Sequence, residues 1–197
     1  MATPARSIEE LQRNLVSACG ARLQEITVER GDLIASVRSS DIFEVLSLCK
    51  ADAALAFNML VDLTAIDWMD SRSERFEVVY QLLSLSNLWR LTLRVAVGES
   101  KPELPSATPL WNGANFLERE VWDMFGIRFQ GHPDLRRILM YEEFVGHPLR
   151  KDYPVQAKQP RVPLRMPEVE NTARRMIRAD LVTIRGRKPA GSRQEAR

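Results

Sequence analysis

A strict alternation of apolar and polar side chains over residues 89–97 constrains the fold of this chain more than any other feature. Apolar residues occupy every second position from Trp89 to Val97, and Arg90, Thr92 and Arg94 stand between them. A period of two residues places one set of side chains on the buried face of a strand and the other set in solvent. The segment is therefore predicted to be a half-buried β-strand.

Two further strands are predicted before this one. Residues 76–83 alternate in a similar way, and residues 84–87 can form the turn into the following strand, which predicts an antiparallel pair. Residues 57–66 are mostly apolar, which is typical of a strand that is buried on both faces. A third and more central strand of the same sheet is predicted there.

The chain begins with a helix and a hairpin. Ser7 and Glu10 form a capping box, and the apolar residues that follow recur at helical spacing, which predicts a helix over residues 8–19. Short apolar runs stand on both sides of Gly31-Asp32. Because glycine supplies a positive φ and aspartate favours turns, these runs are predicted to be two strands joined by a tight turn.

Two more helices are predicted from capping signals. Asp41, with a glutamate three residues later, predicts a helix of about ten residues. Either Asn112 or Asn115 can cap a helix that runs to Phe125, where Gly126 is suited to the residue after the last turn.

This order of elements predicts an α+β fold with a mostly antiparallel sheet and helices packed on one face. We expect residues 1–155 to form this domain, which ends in a loop-rich segment, and residues 156–197 to form an extended basic tail. The charges support this division, because residues 1–157 carry 17 basic and 22 acidic side chains, whereas residues 158–197 carry 11 and 4. The tail has too little apolar surface to fold alone, so we expect it to lie on a partner and to be disordered and protease-sensitive without one.

Several function classes are not supported by the sequence. The longest uncharged stretch, residues 104–117, is too short and too polar for a membrane span, and no secretory signal or transit peptide is recognisable. Two cysteines thirty residues apart cannot hold an iron–sulfur cluster or an all-cysteine zinc site, so both are expected to be buried small hydrophobes. Dinucleotide-binding and nucleophile-elbow motifs are absent. Arginines beside aromatic residues favour a protein partner over nucleic acid, since the body is acidic.

A metal site is one open alternative. His132, His147, Glu120 and Asp123 offer four ligands for a first-row metal, and they would make the chain a stand-alone metallohydrolase. Both histidines stand in Gly-His-Pro, which also has a purely structural interpretation. There glycine takes special backbone angles, proline begins a short helix and histidine forms local hydrogen bonds.

Two blocks of sequence carry a resemblance to a known family. The first block consists of residues 118–127 (Glu-Arg-Glu-Val-Trp-Asp-Met-Phe-Gly-Ile) and the following Gly-His-Pro and Leu-Arg-Arg-Ile-Leu at 131–133 and 135–139. The second block is residues 146–154 (Gly-His-Pro-Leu-Arg-Lys-Asp-Tyr-Pro). Both resemble the signature of the thirty-kilodalton subunit, also called the C subunit, of respiratory complex I, the proton-pumping NADH:quinone oxidoreductase. Related subunits of ferredoxin:quinone oxidoreductases and membrane-bound hydrogenases are similar and remain an alternative.

The resemblance implies a structural and assembly role. The subunit would hold no cofactor and no catalytic residue, whereas the whole complex would carry FMN and iron–sulfur clusters. It would support the quinone-reducing module by docking on the large quinone-site subunit and near the cluster-bearing subunit of the hydrophilic arm. The complex would couple electron transfer from NADH to quinone with proton pumping. The chain would then be a peripheral protein on the cytoplasmic face of a bacterial inner membrane, or on the matrix side of a mitochondrial one.

The polar signature residues form the candidate subunit interface that the resemblance implies: Glu118, Arg119, Glu120, Asp123, His132, Pro133, Arg136, Arg137, His147, Pro148, Arg150, Lys151 and Asp152. Two roles stay open for the carboxylates, because buried charges must be paired. Glu118 and Glu120 pair with signature arginines inside the fold, or these charges meet neighbouring subunits. Reversing the charge at Arg150 and Lys151 is expected to weaken assembly and to leave the isolated fold intact.

Overall fold

A computed structural model describes residues 7–156 and 158–160, so most of the predicted tail lies outside the described residues. The helices are α1 (Ile8–Cys19), α2 (Ile42–Ala51) and α3 (Ala114–Phe125). The strands are β1 (Leu23–Glu29), β2 (Asp32–Val37), β3 (Met59–Asp67), β4 (Phe76–Ser84), β5 (Trp89–Val97), β6 (Glu103–Pro105) and β7 (Arg128–Gln130). Residues 131–156 are turns and irregular loops, as the predicted loop-rich segment requires.

Five strands form the main sheet in the order β1-β2-β5-β4-β3. The β1–β2, β3–β4 and β4–β5 pairs are antiparallel, as predicted, but β2 and β5 run parallel. The predicted central position of the third strand is wrong, because β3 lies at one edge and pairs only with β4 in this sheet. A second small sheet, the parallel pair β6–β7, was not predicted, since three-residue strands carry no readable period.

One core lies between the helices and one face of the sheet. The paired residues Ala35, Leu93 and Tyr80 stand side by side on β2, β5 and β4, and all three are fully buried. Leu15 of α1 and Val121 of α3 belong to the same apolar cluster. Burial of such side chains stabilises the fold by roughly 25 cal/mol per Å² of apolar surface. The α+β prediction with helices on one face is thus confirmed.

The helix ends test the capping predictions. The Ser7 hydroxyl accepts the Glu10 N–H at 3.2 Å, which confirms the first cap. Asp41 precedes α2 but makes no capping bond, because its carboxylate is held by Arg38 and by Ser40. At α3 the asparagine cap is wrong, since Gly113 is the residue before the first turn and provides no side-chain cap.

The predicted end of α3 is confirmed. Gly126 follows Phe125 with a φ of +78°, the left-handed conformation that glycine adopts without a steric cost. Within the described part of the chain, no helix is both long and apolar enough to cross a membrane.

Candidate functional site

The second signature block closes the carboxyl end of α3. The last turn of a helix leaves its carbonyl groups without intrahelical partners. His147 Nδ1 donates to the carbonyl of Asp123 at 3.0 Å, the Leu149 N–H donates to the carbonyl of Met124 at 3.1 Å, and Arg150 Nε donates to the carbonyl of Phe125. Three consecutive carbonyls are therefore satisfied by one loop that lies 24–25 residues further along the chain.

Gly126 makes this closure sterically feasible. A Cβ atom built on Gly126 would lie 2.5 Å from a guanidinium nitrogen of Arg150 and 2.6 Å from the His147 ring. The Arg150 guanidinium also stacks over the Phe76 ring, 5.2 Å from its centroid. Its positive charge at a helix carboxyl end interacts favourably with the helix dipole. The glycine of the first block and the Gly-His-Pro-Leu-Arg sequence of the second block thus fit each other.

Asp123 is a fully buried carboxylate at the centre of the first block. Its Oδ1 pairs with Arg137 at 2.5 Å, and its Oδ2 accepts three successive backbone N–H groups, those of Ile138, Leu139 and Met140, at 2.9–3.1 Å. Burial pushes the pKa of Asp123 upward, but the backbone N–H groups and Arg137 outweigh it and hold that pKa below its ordinary value. The carboxylate therefore stays ionised and folds the Leu-Arg-Arg-Ile-Leu loop around itself.

Arg137 connects the two blocks. Besides Asp123 it donates to the carbonyls of Phe144 and Gly146, at 2.8 and 3.1 Å. Its guanidinium lies 5.7 Å from the centroid of the Trp122 ring, a distance at which a cation–π interaction contributes. Each direction of the planar guanidinium is thereby used, which a lysine could not reproduce.

Arg75 anchors the second block to the sheet. The two-pronged pair between Arg75 and Asp67 has both bonds at 3.1 Å, and Asp152 contacts the same guanidinium at 2.8 Å. Glu99 is a third carboxylate on Arg75, and the Lys151 N–H donates to Asp67 at 2.8 Å. Arg75 lowers the pKa of Asp152 by hydrogen bonding to its ionised form. This cluster ties β3, β4 and the second block together.

The remaining signature residues divide into internal and exposed ones. Arg119 donates to the carbonyls of Arg136 and Arg137, both at 3.1 Å, so its role is internal. Glu120, Pro133 and the side chains of Arg136 and Lys151 are exposed, and Pro148 is half-buried. The exposed charges remain available to a partner.

Glu118 does not pair with an arginine. It is fully buried and accepts the Ser106 hydroxyl at 2.7 Å and the Ala107 N–H at 2.6 Å, both neutral donors. Burial raises the pKa of Glu118 to about 7. The expectation of internal pairing is therefore wrong for Glu118 and for the exposed Glu120, whereas it describes Asp123.

The candidate metal ligands are not assembled into a site. His132 Nε2 donates to the carbonyl of Asn115 at 3.1 Å, and its Nδ1 accepts the Asp134 N–H at 3.0 Å, so both ring nitrogens are occupied. Burial lowers the pKa of His147, which donates to a backbone carbonyl. Among residues 7–156 and 158–160, no three His, Cys, Asp or Glu side chains form a group that could hold a metal.

The structural interpretation of Gly-His-Pro is correct in part. Gly131 and Gly146 have φ values of +80° and +92°, as predicted for glycine. The prolines do not begin short helices, because both segments are turns and irregular loops. His132 bonds locally to Asp134, whereas His147 bonds 24 residues away.

A family model described as the 30-kDa subunit of the respiratory-chain NADH dehydrogenase matches residues 35–159, which include both signature blocks. The chain belongs to this family. The NADH-quinone oxidoreductase C subunit of Trichlorobacter lovleyi is 46% identical over 156 residues, 79% of this chain and 93% of that protein. The corresponding C subunit of Burkholderia multivorans is 45% identical over 157 residues, covering 77% of this chain and 78% of that protein.

Solved structures agree with this membership in the 30-kDa subunit family. A trypsin-resistant fragment (1–134) of Nqo5 is 40% identical, covers 64% of this chain and 99% of the fragment, and superposes with a TM-score of 0.57. A chain of the archaeal membrane-bound sulfane sulfur reductase superposes with a TM-score of 0.64 over 96% of this chain and 97% of its own length. At 20% identity, the latter likeness shows the fold alone.

The structure adds residues that the sequence did not single out as part of the site: Asp67, Arg75 and Ser106. Asp67 ends an apolar strand and Arg75 precedes the next, and neither position carries a motif. The distance in sequence between Asp67 and Lys151 is 84 residues, so no local pattern could have predicted their contact.

Proposed function

We propose that this chain is a subunit without cofactor in the hydrophilic arm of a proton-translocating NADH:quinone oxidoreductase, where it supports the quinone-reducing module. The observation that carries the proposal is the family match over residues 35–159, together with relatives named as the C subunit of NADH-quinone oxidoreductase at 45–46% identity. Those relatives favour this complex over the ferredoxin- and hydrogenase-type alternatives.

The arrangement of the signature residues supports a scaffolding role. Asp123, Arg137, His147 and Arg150 are engaged in fixing loops to α3 and to each other. Such fully used side chains rigidify a surface rather than supply a reacting group. The chain itself is proposed to hold no catalytic residue, while FMN and iron–sulfur clusters belong to other subunits of the complex.

The loop that this network fixes presents an apolar surface. Leu139, Val145 and Leu149 are between 55% and 66% exposed although they flank a tightly bonded core. Exposed apolar side chains grouped within a few residues of each other are characteristic of protein interfaces. We assign this surface to the contact with the large quinone-site subunit and the neighbouring cluster-bearing subunit.

The basic segment beyond residue 157 is proposed to extend over partner subunits. Its excess of positive charge would complement acidic partner surface. A trypsin-resistant fragment of the related Nqo5 corresponds to only 64% of this chain, which is consistent with a remainder that depends on partners for its order. The assembled subunit would be peripheral, on the cytoplasmic face of the membrane.

Affinity purification from detergent-solubilised membranes of the source organism tests the proposal. A tagged copy of this chain is expected to recover NADH:quinone oxidoreductase activity with flavin and iron–sulfur absorbance. Recovery of the tagged chain as a soluble monomer would refute membership in the complex.

A paired substitution tests the apolar surface. Leu149→Asp is expected to lower the yield of the complex at least about tenfold, because burying a carboxylate in an interface is costly. Leu88→Asp is the matched control, since Leu88 is 78% exposed in the turn between β4 and β5, outside both blocks. Both variants should keep the circular dichroism of the unaltered chain, and equal yields from the two would contradict the assignment.

The expectation from the sequence for Arg150 and Lys151 is divided by the structure. Arg150 is half-buried against Gly126 and Phe76, so reversing its charge would disturb the fold itself. Lys151 projects an exposed side chain and is the suitable position for charge reversal.

A further inference from the structure

Two thiols face each other in the core, away from both signature blocks. Cys19 is the last residue of α1, and Cys49 lies in the last turn of α2. Both are free and fully buried, and their thiols share a hydrogen bond. They are the two cysteines of the chain, so each thiol has the other as its only cysteine partner within the molecule.

We propose that Cys19 and Cys49 form a dithiol that hydrogen peroxide oxidises to an intramolecular disulfide. In the first step the Cys19 thiolate attacks the peroxide O–O bond, which gives a sulfenic acid and, with one proton, water. In the second step the Cys49 sulfur displaces hydroxide from the sulfenic acid, and the thiol proton leaves in a second water. One hydrogen peroxide is reduced by two electrons, and two thiols become one disulfide.

The surroundings of the pair distinguish the attacking thiol from the resolving one. The hydrogen bond from Cys49 and the charge of Arg22 lower the pKa of Cys19, whereas burial and Asp52 act in the opposite direction. The same hydrogen bond and burial raise the pKa of Cys49. Because the thiolate is the nucleophile, Cys19 is the residue that reacts first.

The position of Cys19 gives a small oxidant a route to it. The next two residues, Gly20 and Ala21, are exposed, and Gly20 leaves the helix with a φ of +54°. Helix ends open locally far more often than a whole domain unfolds. Opening the last turn of α1 would expose Cys19 and leave Cys49 in place on α2.

A disulfide between these positions would fasten the carboxyl ends of α1 and α2 to each other. Cross-linking the ends of a thirty-residue segment removes conformational freedom from the unfolded chain. For a chain of this size the expected rise in the melting temperature is roughly 5–10 °C. Oxidation would therefore stiffen the amino-terminal part of the fold.

The test treats the full chain, freshly reduced, with stoichiometric hydrogen peroxide, followed by alkylation under denaturing conditions and intact-mass measurement. The expected product has lost about 2 Da and both alkylation sites, melts at the higher temperature, and reverts with dithiothreitol. Recovery of two alkylatable thiols, of dimers linked by disulfides, or of a gain of about 32 Da without the loss of 2 Da would overturn the proposal.

Two variants establish the roles of the thiols. Cys49→Ala should stop at a sulfenic acid on Cys19, which dimedone traps. The double variant Ser17→Cys with Cys19→Ala moves the thiol to an exposed position on the same helix and should form no intramolecular disulfide. A loss of about 2 Da in this double variant would show that mere proximity in the chain suffices, and would overturn the assignment to the facing pair.

Discussion

Replacing Glu118 by glutamine should stabilise this fold near neutral pH, contrary to the usual effect of altering a fully buried signature residue. Glu118 is enclosed in the core and accepts hydrogen bonds only from the Ser106 hydroxyl and the Ala107 N–H among the described residues. Burial raises the pKa of its carboxyl group from 4.5 to about 7. The fold therefore works against the ionised form of this side chain.

The direction of the pH dependence follows from proton binding. Between pH 4.5 and 7 the folded chain keeps a proton on Glu118 that the unfolded chain releases, so the free energy of unfolding falls as the pH rises through this interval. Below pH 4.5 both states are protonated, and the penalty vanishes. Above pH 7 it is complete and, at 1.36 kcal/mol per pKa unit, amounts to about 3 kcal/mol.

Glutamine keeps the size of the side chain and an oxygen that accepts the Ala107 N–H, but it never ionises. Urea unfolding of Glu118→Gln and of the unaltered chain, followed by circular dichroism at pH 5 and pH 8, gives the comparison. The variant should match the unaltered chain at pH 5 and exceed it by up to about 3 kcal/mol at pH 8. Glu120→Gln, two residues away and exposed, is the control and should change neither value by more than about 0.5 kcal/mol. A Glu118→Gln variant that is less stable at pH 8 would refute the reasoning, because it would show that the ionised carboxylate is stabilising.

Two further perturbations test the network in the same unfolding assay. Arg75→Met should lower the free energy of unfolding by about 3 kcal/mol, since it leaves the buried Asp67 without its counter-ion, whereas Arg72→Met, at a half-exposed pair, should cost under about 1 kcal/mol. Equal losses would mean that the buried cluster contributes no more than a surface ion pair. Gly126→Ala should cost about 3 kcal/mol and Gly131→Ala about 1 kcal/mol: both have a positive φ, but only at Gly126 would the new methyl group collide with the second block. If the two alanine variants are equally stable, that block does not rest on Gly126.

Local signals predicted much of the secondary structure. The alternation from Trp89 to Val97 and the capping box at Ser7 gave the bounds of β5 and α1, because each depends on neighbours within a few residues. The apolar composition of β3 was misleading: Val61 and Ile66 are exposed at the sheet edge, so an apolar run there does not mark a central strand. The parallel pairing of β2 with β5 joins residues far apart in sequence and left no local trace.

The site was located by its two blocks, but the contacts within it were beyond local reasoning. Nothing in the sequence distinguishes the buried Asp123, which pairs with Arg137, from the buried Glu118, which pairs with no charge. The difference arises because the loop at residues 136–140 folds over one carboxylate, while Ser106 and Ala107 enclose the other. Similarly, the role of Arg75 depends on three carboxylates from separate segments.

The closure of α3 by the second block also determines when the fold can be completed during synthesis. A nascent chain that has grown to residue 145 already contains every helix and strand described above. Its third helix nevertheless still ends in carbonyl groups that await His147, Leu149 and Arg150. A message truncated in this short interval would yield a product with near-native secondary structure and a frayed helix end, and such a product is a natural substrate for cellular proteases.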